Sequence, residues 1–523
     1  MKQTLTVACI ILKSAWQAVS LRSALTALLL APLGALATLS AAEPVVAPVA
    51  PDATFSQIAQ PSGFTPEMPK LSDVCMRFFR LDQPGVSAER MLAAGSDFHI
   101  TRGVWSYIED KSFIERVRAK GWEFQGTLNF GNLQDPALAL RDREGNPIRS
   151  NALRDGKGKL LRDSAGKILD DGKSPFRPDM YNPEFRRLYL ERANRLVDLG
   201  VTSFQRDDPD EAHFDWGDRP QYGKEGRRDA IPDADLLEFH HWARTEIEKH
   251  AGRKLTFSVN WHDRSPFMQV FDYRMTEVRV RDSYATKYVI SPQSVRKLAL
   301  EARRDKKFFM LTGQEDVPAE DFRWVWAASY ATGNLYIVPW DQFLNVTIDP
   351  VTKLPRIPQN KVGRFFIAPE KFADLTGFVR ANAQYLDGYE EAAVGGFDLQ
   401  DTRFGAKPPV RIEGGSGKLS VFIRAKPGAA TAPVVIHLVE REPGAPATLR
   451  LPTARFFGTK AIMVKLRVPL PYDGALNAKA EKDKNYRSLI RETTLTTTTE
   501  GAYTLVPVPA LNPWGFLIVE KLP

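Results

Sequence analysis

The sequence predicts a (β/α)8 barrel followed by an antiparallel β-sandwich. Two patterns carry that expectation: short apolar strands alternate with helical stretches eight times between about Leu71 and Gly405, and beyond Pro408 the helical period gives way to two-residue alternation. A third observation separates the barrel from an open doubly wound sheet, because no Gly-rich turn of the GxGxxG kind follows the first strand. With 523 residues, 43% hydrophobic and 10% aromatic, the chain can bury a large core and suggests two or three domains.

Taken in order, residues 1–42 have the layout of a secretory signal peptide. Lys2, Lys13 and Arg22 precede the apolar run "ALTALLLAPLGALATL", and the small residues "SAAEP" suit cleavage near Ala42. The expected location is therefore secreted or periplasmic; a retained membrane anchor is the alternative, given the long charged segment ahead of the apolar run. No other segment approaches a membrane span. Residues 43–70, rich in Pro, Ala and Gln, read as an extended leader.

The barrel is expected over 71–405. Its strands read as "VCMRFFRL", "DFHITRGVW", "WEFQGTLNF", "VTSFQRD", "KLTFSVNW", "VFDYRMTEV", "KFFMLTG" and "LYIVPWDQF". Between them lie helical patterns such as "PEFRRLYLERANRLVDLG", with Phe185, Leu188, Tyr189, Ala193, Leu196 and Val197 near a 3.6-residue period and Gly200 placed to end the helix. After the third strand, three copies of an Arg-Asp-x-x-Gly-x-x-apolar unit start at Arg141, Arg154 and Arg162. Asp with Gly close behind is turn chemistry, so the units read as small hairpins, either a surface decoration or a lid over the barrel mouth. Residues 406–523 supply the alternating strands of the sandwich, from "VRIEGG" to "PWGFLIVEK".

Charge and cysteine content narrow the function. The net charge of +8 falls to +5 once the three cations of the signal are removed, and without a dense basic stripe or a nucleic-acid motif the chain is not read as binding DNA or RNA. The two cysteines are Cys9, within the signal, and Cys75, so neither an internal disulfide nor a Cys-rich zinc site is expected. There is no HExxH and no GxSxG, and no metal, nucleotide or other cofactor is expected.

The C-terminal strand ends of such a barrel form its active face. There the sequence delivers Arg77 and Arg80, Arg102 and Trp105, Asn129, then "QRDDPDE" with Arg206, Asp207 and Asp208, then Asn260, Trp261 and His262, then Glu277, Glu315, Trp340 and Asp341. Flat rings that stack on pyranoses, polar groups that bind hydroxyls, and several carboxylates together suit a carbohydrate substrate. For Trp105, Trp261 and Trp340 both a core reading and a substrate-platform reading stand. Asp207 and Asp208 are adjacent, so in extended backbone only one of them can face the substrate directly.

The barrel pattern, with "GVTSFQRDDPDE", "FDYRMTEV", "SYATGNLYIVPWDQF" and the terminal "LNPWGFLIVEK", resembles secreted glycoside-hydrolase-like proteins distantly similar to the β-galactosidase type of barrel. Barrels of that clan commonly carry an acid/base Glu after strand four and a nucleophile Glu at strand seven. This chain departs from that pattern with the pair Asp207-Asp208 and with Glu315 beyond a "TGQ" turn.

The resemblance implies hydrolysis of a glycosidic bond by two carboxyl groups. Asp208 is the expected general acid, Glu277 its partner carboxylate with Glu315 as the alternative, and Asp207 the residue that holds neighbouring cations. Contact between Arg206 and Asp208 would exchange the two roles by stabilising the ionised acid. The other function class is a non-catalytic carbohydrate-binding or envelope-associated barrel.

Overall fold

The computed structural model describes residues 55–57, 68–81, 86–129, 133–142, 144–149, 152–153, 160–170, 172, 175–207, 233–260, 270–278, 308–313, 319–338, 340, 342–343, 347–348, 355–356, 364–365, 367–394, 397–398, 410–426, 428–429, 431–441, 444–453 and 461–522. The expected signal peptide lies outside them, and Val49–Pro523 form one compact unit. Among the described residues no helix is long and apolar enough to cross a membrane.

The first strand, β1 (Phe55–Gln57), falls in the segment read as a leader. The barrel follows as β2 (Cys75–Arg77), β3 (Arg102–Ser106), β4 (Glu123–Asn129), β5 (Ser203–Asp207), β6 (Thr256–Asn260), β7 (Tyr273–Val278), β8 (Phe308–Gly313) and β9 (Leu335–Val338). All neighbours are parallel and β2 pairs with β9, so the eight strands close as the sequence predicts.

Between strands run α1 (Ala88–Asp97), α2 (Lys111–Ala119), α3 (Pro183–Asp198), α4 (Asp233–Ala251) and α5 (Ala319–Thr332); α6 (Ala373–Ala381) and α7 (Ala383–Leu386) come after β9. The starts are set by local chemistry. Ser87 Oγ accepts from the Arg90 amide, Asp110 from that of Phe113, and Asn182 from those of Glu184 and Phe185 ahead of Pro183. Gly200, at φ 97°, follows α3 in the left-handed conformation that ends helices. Gly103 has a different cause: a Cβ there would stand 2.2 Å from the ring of Phe78, which fills the space outside β3 together with Phe113, Trp122 and Phe124.

Short strands β10 (Gln342–Phe343), β11 (Thr347–Ile348), β12 (Pro355–Arg356) and β13 (Arg364–Phe365) pair as β10–β13 and β11–β12. Next come β14 (Glu390–Val394), β15 (Phe397–Asp398), β16 (Arg411–Gly414), β17 (Leu419–Ala425), β18 (Val434–Glu440), β19 (Ala447–Leu451), β20 (Ile462–Pro469), α8 (Gly474–Asp483), β21 (Ile490–Thr494), β22 (Thr498–Glu500), β23 (Tyr503–Val508) and β24 (Trp514–Lys521). The large sheet runs β1-β14-β17-β18-β24-β20-β21 and the small one β16-β19-β23-β22, all antiparallel.

Ile436, Leu438, Leu517 and Val519 face the small sheet; Phe422, Val435, Trp514 and Phe516 belong instead to the barrel's own core. Trp514 packs against Tyr330 of α5 and Phe378 of α6, with ring centroids 6.1 and 4.9 Å away. The large sheet is therefore buried on both faces, which is why "VVIHLVE" and "WGFLIV" are apolar almost throughout. A second tie is α8, where buried His99, just past α1, meets Asn477 at 2.6 Å and Glu481 at 3.0 Å.

The Arg-Asp units form the expected turns. Arg141 donates to the Gly145 carbonyl and Asp142 accepts from the Asn146 amide, both at 2.6 Å. The same pair of bonds recurs from Arg162 to Gly166 and from Lys167 to Asp163, at 2.9 Å each. Arg162 also binds the buried carboxylate of Asp142 at 2.8 Å, fastening one turn to the other. Residues 154–159 of the middle unit lie outside the described residues. The backbones of Leu153, Leu161 and Leu169 close a ring of three hydrogen bonds, each donating to one neighbour and accepting from the other.

Because one sheet face is shared with the barrel, Trp514→Ala should lower the unfolding free energy by about 3–5 kcal/mol. In urea, fluorescence and far-ultraviolet dichroism should still report one coincident transition. Separate barrel and β-domain transitions in the wild type would refute a shared core.

Candidate functional site

Strand alternation decides which side chains enter the barrel. On β4, Gln125, Thr127 and Asn129 alternate with residues that face the helices, and Gln125 joins its inward neighbours directly. Its Nε2 donates to Ser258 of β6 at 3.1 Å and to the Tyr273 hydroxyl of β7 at 2.5 Å. Ser258 in turn donates to Gln205 of β5, and Gln125 Oε1 accepts from the Trp105 amide at 3.1 Å. Barrel interiors are mostly filled by branched apolar residues, so a hydrogen-bonded sector from β3 to β7 is a specific feature. Burial pushes the Tyr273 hydroxyl pKa up, keeping it neutral.

Trp105 has φ 51°, an unfavourable conformation for a bulky residue, where the β3–β4 register shifts. The Arg77 guanidinium lies 5.4 Å from the Trp105 ring and 5.3 Å from that of Phe79. Arg80 lies 5.4 Å from Phe79 and 5.3 Å from Tyr107, and those two rings meet edge to face at 5.1 Å. The Tyr107 hydroxyl accepts from Asn129 Nδ2 at 3.1 Å. Asn129 ends β4 and is the register partner of Asp207, the last residue of β5. The ends of β2, β3 and β4 are thus joined as an arginine–aromatic rim beside the end of β5.

Several sequence expectations take definite positions. Asp207 stands two residues beyond Gln205, and Glu277 two beyond Met275 and opposite Thr312 of β8. Both stand at or next to the C-terminal ends of their strands. Asn260 ends β6, with Met275 as its partner. Asp208, Trp261, His262, Glu315 and Asp341 lie outside the described residues.

Four expected substrate contacts are corrected. Arg102 begins β3, at the opposite end of the barrel, where it binds Asp73 at 2.8 Å and the Met68 carbonyl at 3.1 Å. A strand's first residue belongs to the floor, and its charge closes that floor. Arg206 is one position out of phase with Gln205, so it turns outward among Tyr189, His240 and Phe271 and donates to the Leu128 carbonyl at 2.7 Å. Trp105 and Trp340 are 5% and 3% exposed, so neither offers an open ring for stacking.

The sequence reading did not single out Phe79, Tyr107, Gln125, Gln205, Ser258 or Tyr273. The polar members recur at inward positions of strands that otherwise read as apolar, and that alternation is the signal that could have found them. Among the described residues no group of three His, Cys, Asp or Glu side chains is arranged to hold a metal ion.

No protein-family pattern matches the chain, and no characterised protein matches it in sequence. Among solved structures it is similar to the trehalose-6-phosphate hydrolase of Bacillus licheniformis, with 10% identity, 86% of this chain and 99% of that one covered, and a TM-score of 0.49. It is also similar to α-L-fucosidase isoenzyme 2 of Paenibacillus thiaminolyticus, with 10% identity, 86% and 100% coverage and a TM-score of 0.47. The glycoside hydrolase domain of PelA from Pseudomonas aeruginosa has 15% identity, 54% and 98% coverage and a TM-score of 0.32. These values identify no family. The functional argument therefore rests on the residues.

Beside the rim, Glu109 is held by Arg192 at 2.8 Å and Arg195 at 2.5 Å. Burial raises its pKa, but the two guanidiniums outweigh burial and hold it below the ordinary 4.5. A depressed folded-state pKa adds stability that is present above the unfolded value and lost as pH falls through the folded one. Glu109→Gln should therefore destabilise the protein at pH 7, with the difference shrinking below about pH 4.5 and vanishing in stronger acid. Urea titrations across pH test this; a pH-independent difference would contradict the ion-pair account.

Proposed function

We propose that the protein is an exported glycoside hydrolase that cleaves an oligo- or polysaccharide with two carboxyl groups at the barrel mouth. The observation that supports this most directly is the register row Asn129–Asp207 beside the arginine–aromatic rim, with Glu277 next to the end of β7. Carboxylates at strand ends next to rings and amides are what glycosidic hydrolysis requires. Export is part of the proposal and rests on the layout of residues 1–42.

In this reading Asp208 donates a proton to the glycosidic oxygen as the bond to the anomeric carbon breaks. Glu277, ionised, either attacks that carbon or takes a proton from the water that does. The hydrogen-bonded network beneath carries no formal charge. Asp207 is then the residue that holds neighbouring cations in position. Glu315 remains the alternative partner.

Asp208→Asn and Glu277→Gln should each lower kcat by roughly 10²–10⁴-fold with the fold intact, as measured by reducing-end release across a broad glycan panel. If Glu277→Gln keeps normal turnover and Glu315→Gln is inactive, the partner is Glu315. A panel on which the wild type binds glycans but releases no product would establish the carbohydrate-binding reading instead.

A further inference from the structure

The cleft outside the rim has a charge arrangement that narrows the substrate class. It measures about 460 Å³, within the range of small-ligand sites, and is lined by Arg80, Leu81, Tyr107, Glu109, Asp110 and Arg192. Its acidic groups are already engaged: Glu109 is held by Arg192 and Arg195, and Asp110 accepts from the Phe113 amide at 2.6 Å to start α2. Arg80 differs. It is half-buried against the rings of Phe79 and Tyr107, and among the described residues no carboxylate pairs with it.

A guanidinium held against two rings is ordered before any ligand arrives, and its planar fork matches a carboxylate with two parallel hydrogen bonds. Tyr107 connects this cation to the mouth, because the hydroxyl that accepts from Asn129 is on the ring beneath Arg80. Asn129 is in turn the register partner of Asp207. The cleft therefore adjoins the ends of β4 and β5.

We propose that Arg80 binds the carboxylate of a uronic acid residue, so that the substrate is an acidic polysaccharide whose sugar in this cleft lies against Tyr107. This rests on the glycosidase reading for the word substrate, but the subsite is tested by binding alone. No bond is made or broken at Arg80; it is a binding residue that fixes which sugar occupies the cleft.

The test uses the full chain and affinity electrophoresis or calorimetry with polygalacturonate, alginate and hyaluronan, each against its carboxyl-esterified or carboxyl-reduced counterpart, together with dextran sulfate and dextran. At least one polyuronate should bind more than about 10-fold tighter than its uncharged counterpart; Arg80→Ala should weaken that binding by roughly 10- to 100-fold and bring the two affinities together, at unchanged thermal midpoint. Arg80→Lys should restore part of the preference, since it returns the charge without the planar fork.

The proposal is overturned if no polyuronate binds, if the uncharged counterparts bind as well, or if Arg80→Ala binds polyuronate like the wild type. Arg80-dependent binding confined to dextran sulfate also overturns it. A polyuronate bound through Arg80 but never cut would leave the subsite standing and remove the hydrolase. A glycan cut by the wild type, with no Arg80-dependent binding of any polyuronate, would do the reverse.

Discussion

Closure of eight parallel strands imposes a parity on every residue of the barrel wall, and the site depends on it. Once β2 pairs with β9 there is no free edge along which a strand can slip, so each position is committed to the lumen or to the helix layer. The inward position of Gln205 follows from one choice of phase, and the burial of Arg206 beneath α3 and α4 follows from the same choice. A slip of one residue would carry the arginine into the lumen and the glutamine out of its bonds to β6.

The polar sector of the lumen has an energetic consequence. Gln125, Gln205, Ser258 and Tyr273 are buried, where an unpaired amide or hydroxyl would cost about 1–3 kcal/mol, yet each bonds to another member of the group. A network satisfied in this way is rigid, and it fixes the backbone at the end of β3 through the Trp105 amide. The rim of Phe79, Arg80, Tyr107 and Asn129 is built on that support. Preorganisation of this kind holds the rim as a defined surface.

The β-domain is part of the same body as the barrel. Its large sheet recruits β1 from ahead of the barrel and β14 from behind it, and it lays Trp514 and Phe516 on α5 and α6. With both faces covered, the sheet holds the helices that follow β8 and β9 against the wall. The catalytic proposal does not draw residues from this domain; its contribution is to limit how far that side of the barrel can move.

Local chemistry made much of the fold legible. Alternation marked all eight barrel strands, Gly200 marked the end of α3, and the Arg-Asp-x-x-Gly spacing specified turns whose side-chain bonds repeat from one described copy to the other. Each is governed by residues within a few positions of one another. What is not local was not legible. Arg102 and Arg206 read as mouth residues because a sequence lists arginines near strands without stating the strand's phase or which end faces the substrate. The strand Phe55–Gln57 has meaning only through its partner Val394, and α8 acquires its role through His99, some 380 positions away from Asn477 in the chain. Which residues face the lumen was therefore decided by barrel closure and by the register shift at Trp105, since long-range hydrogen bonding alone converts a string of charges into an inward set and an outward one.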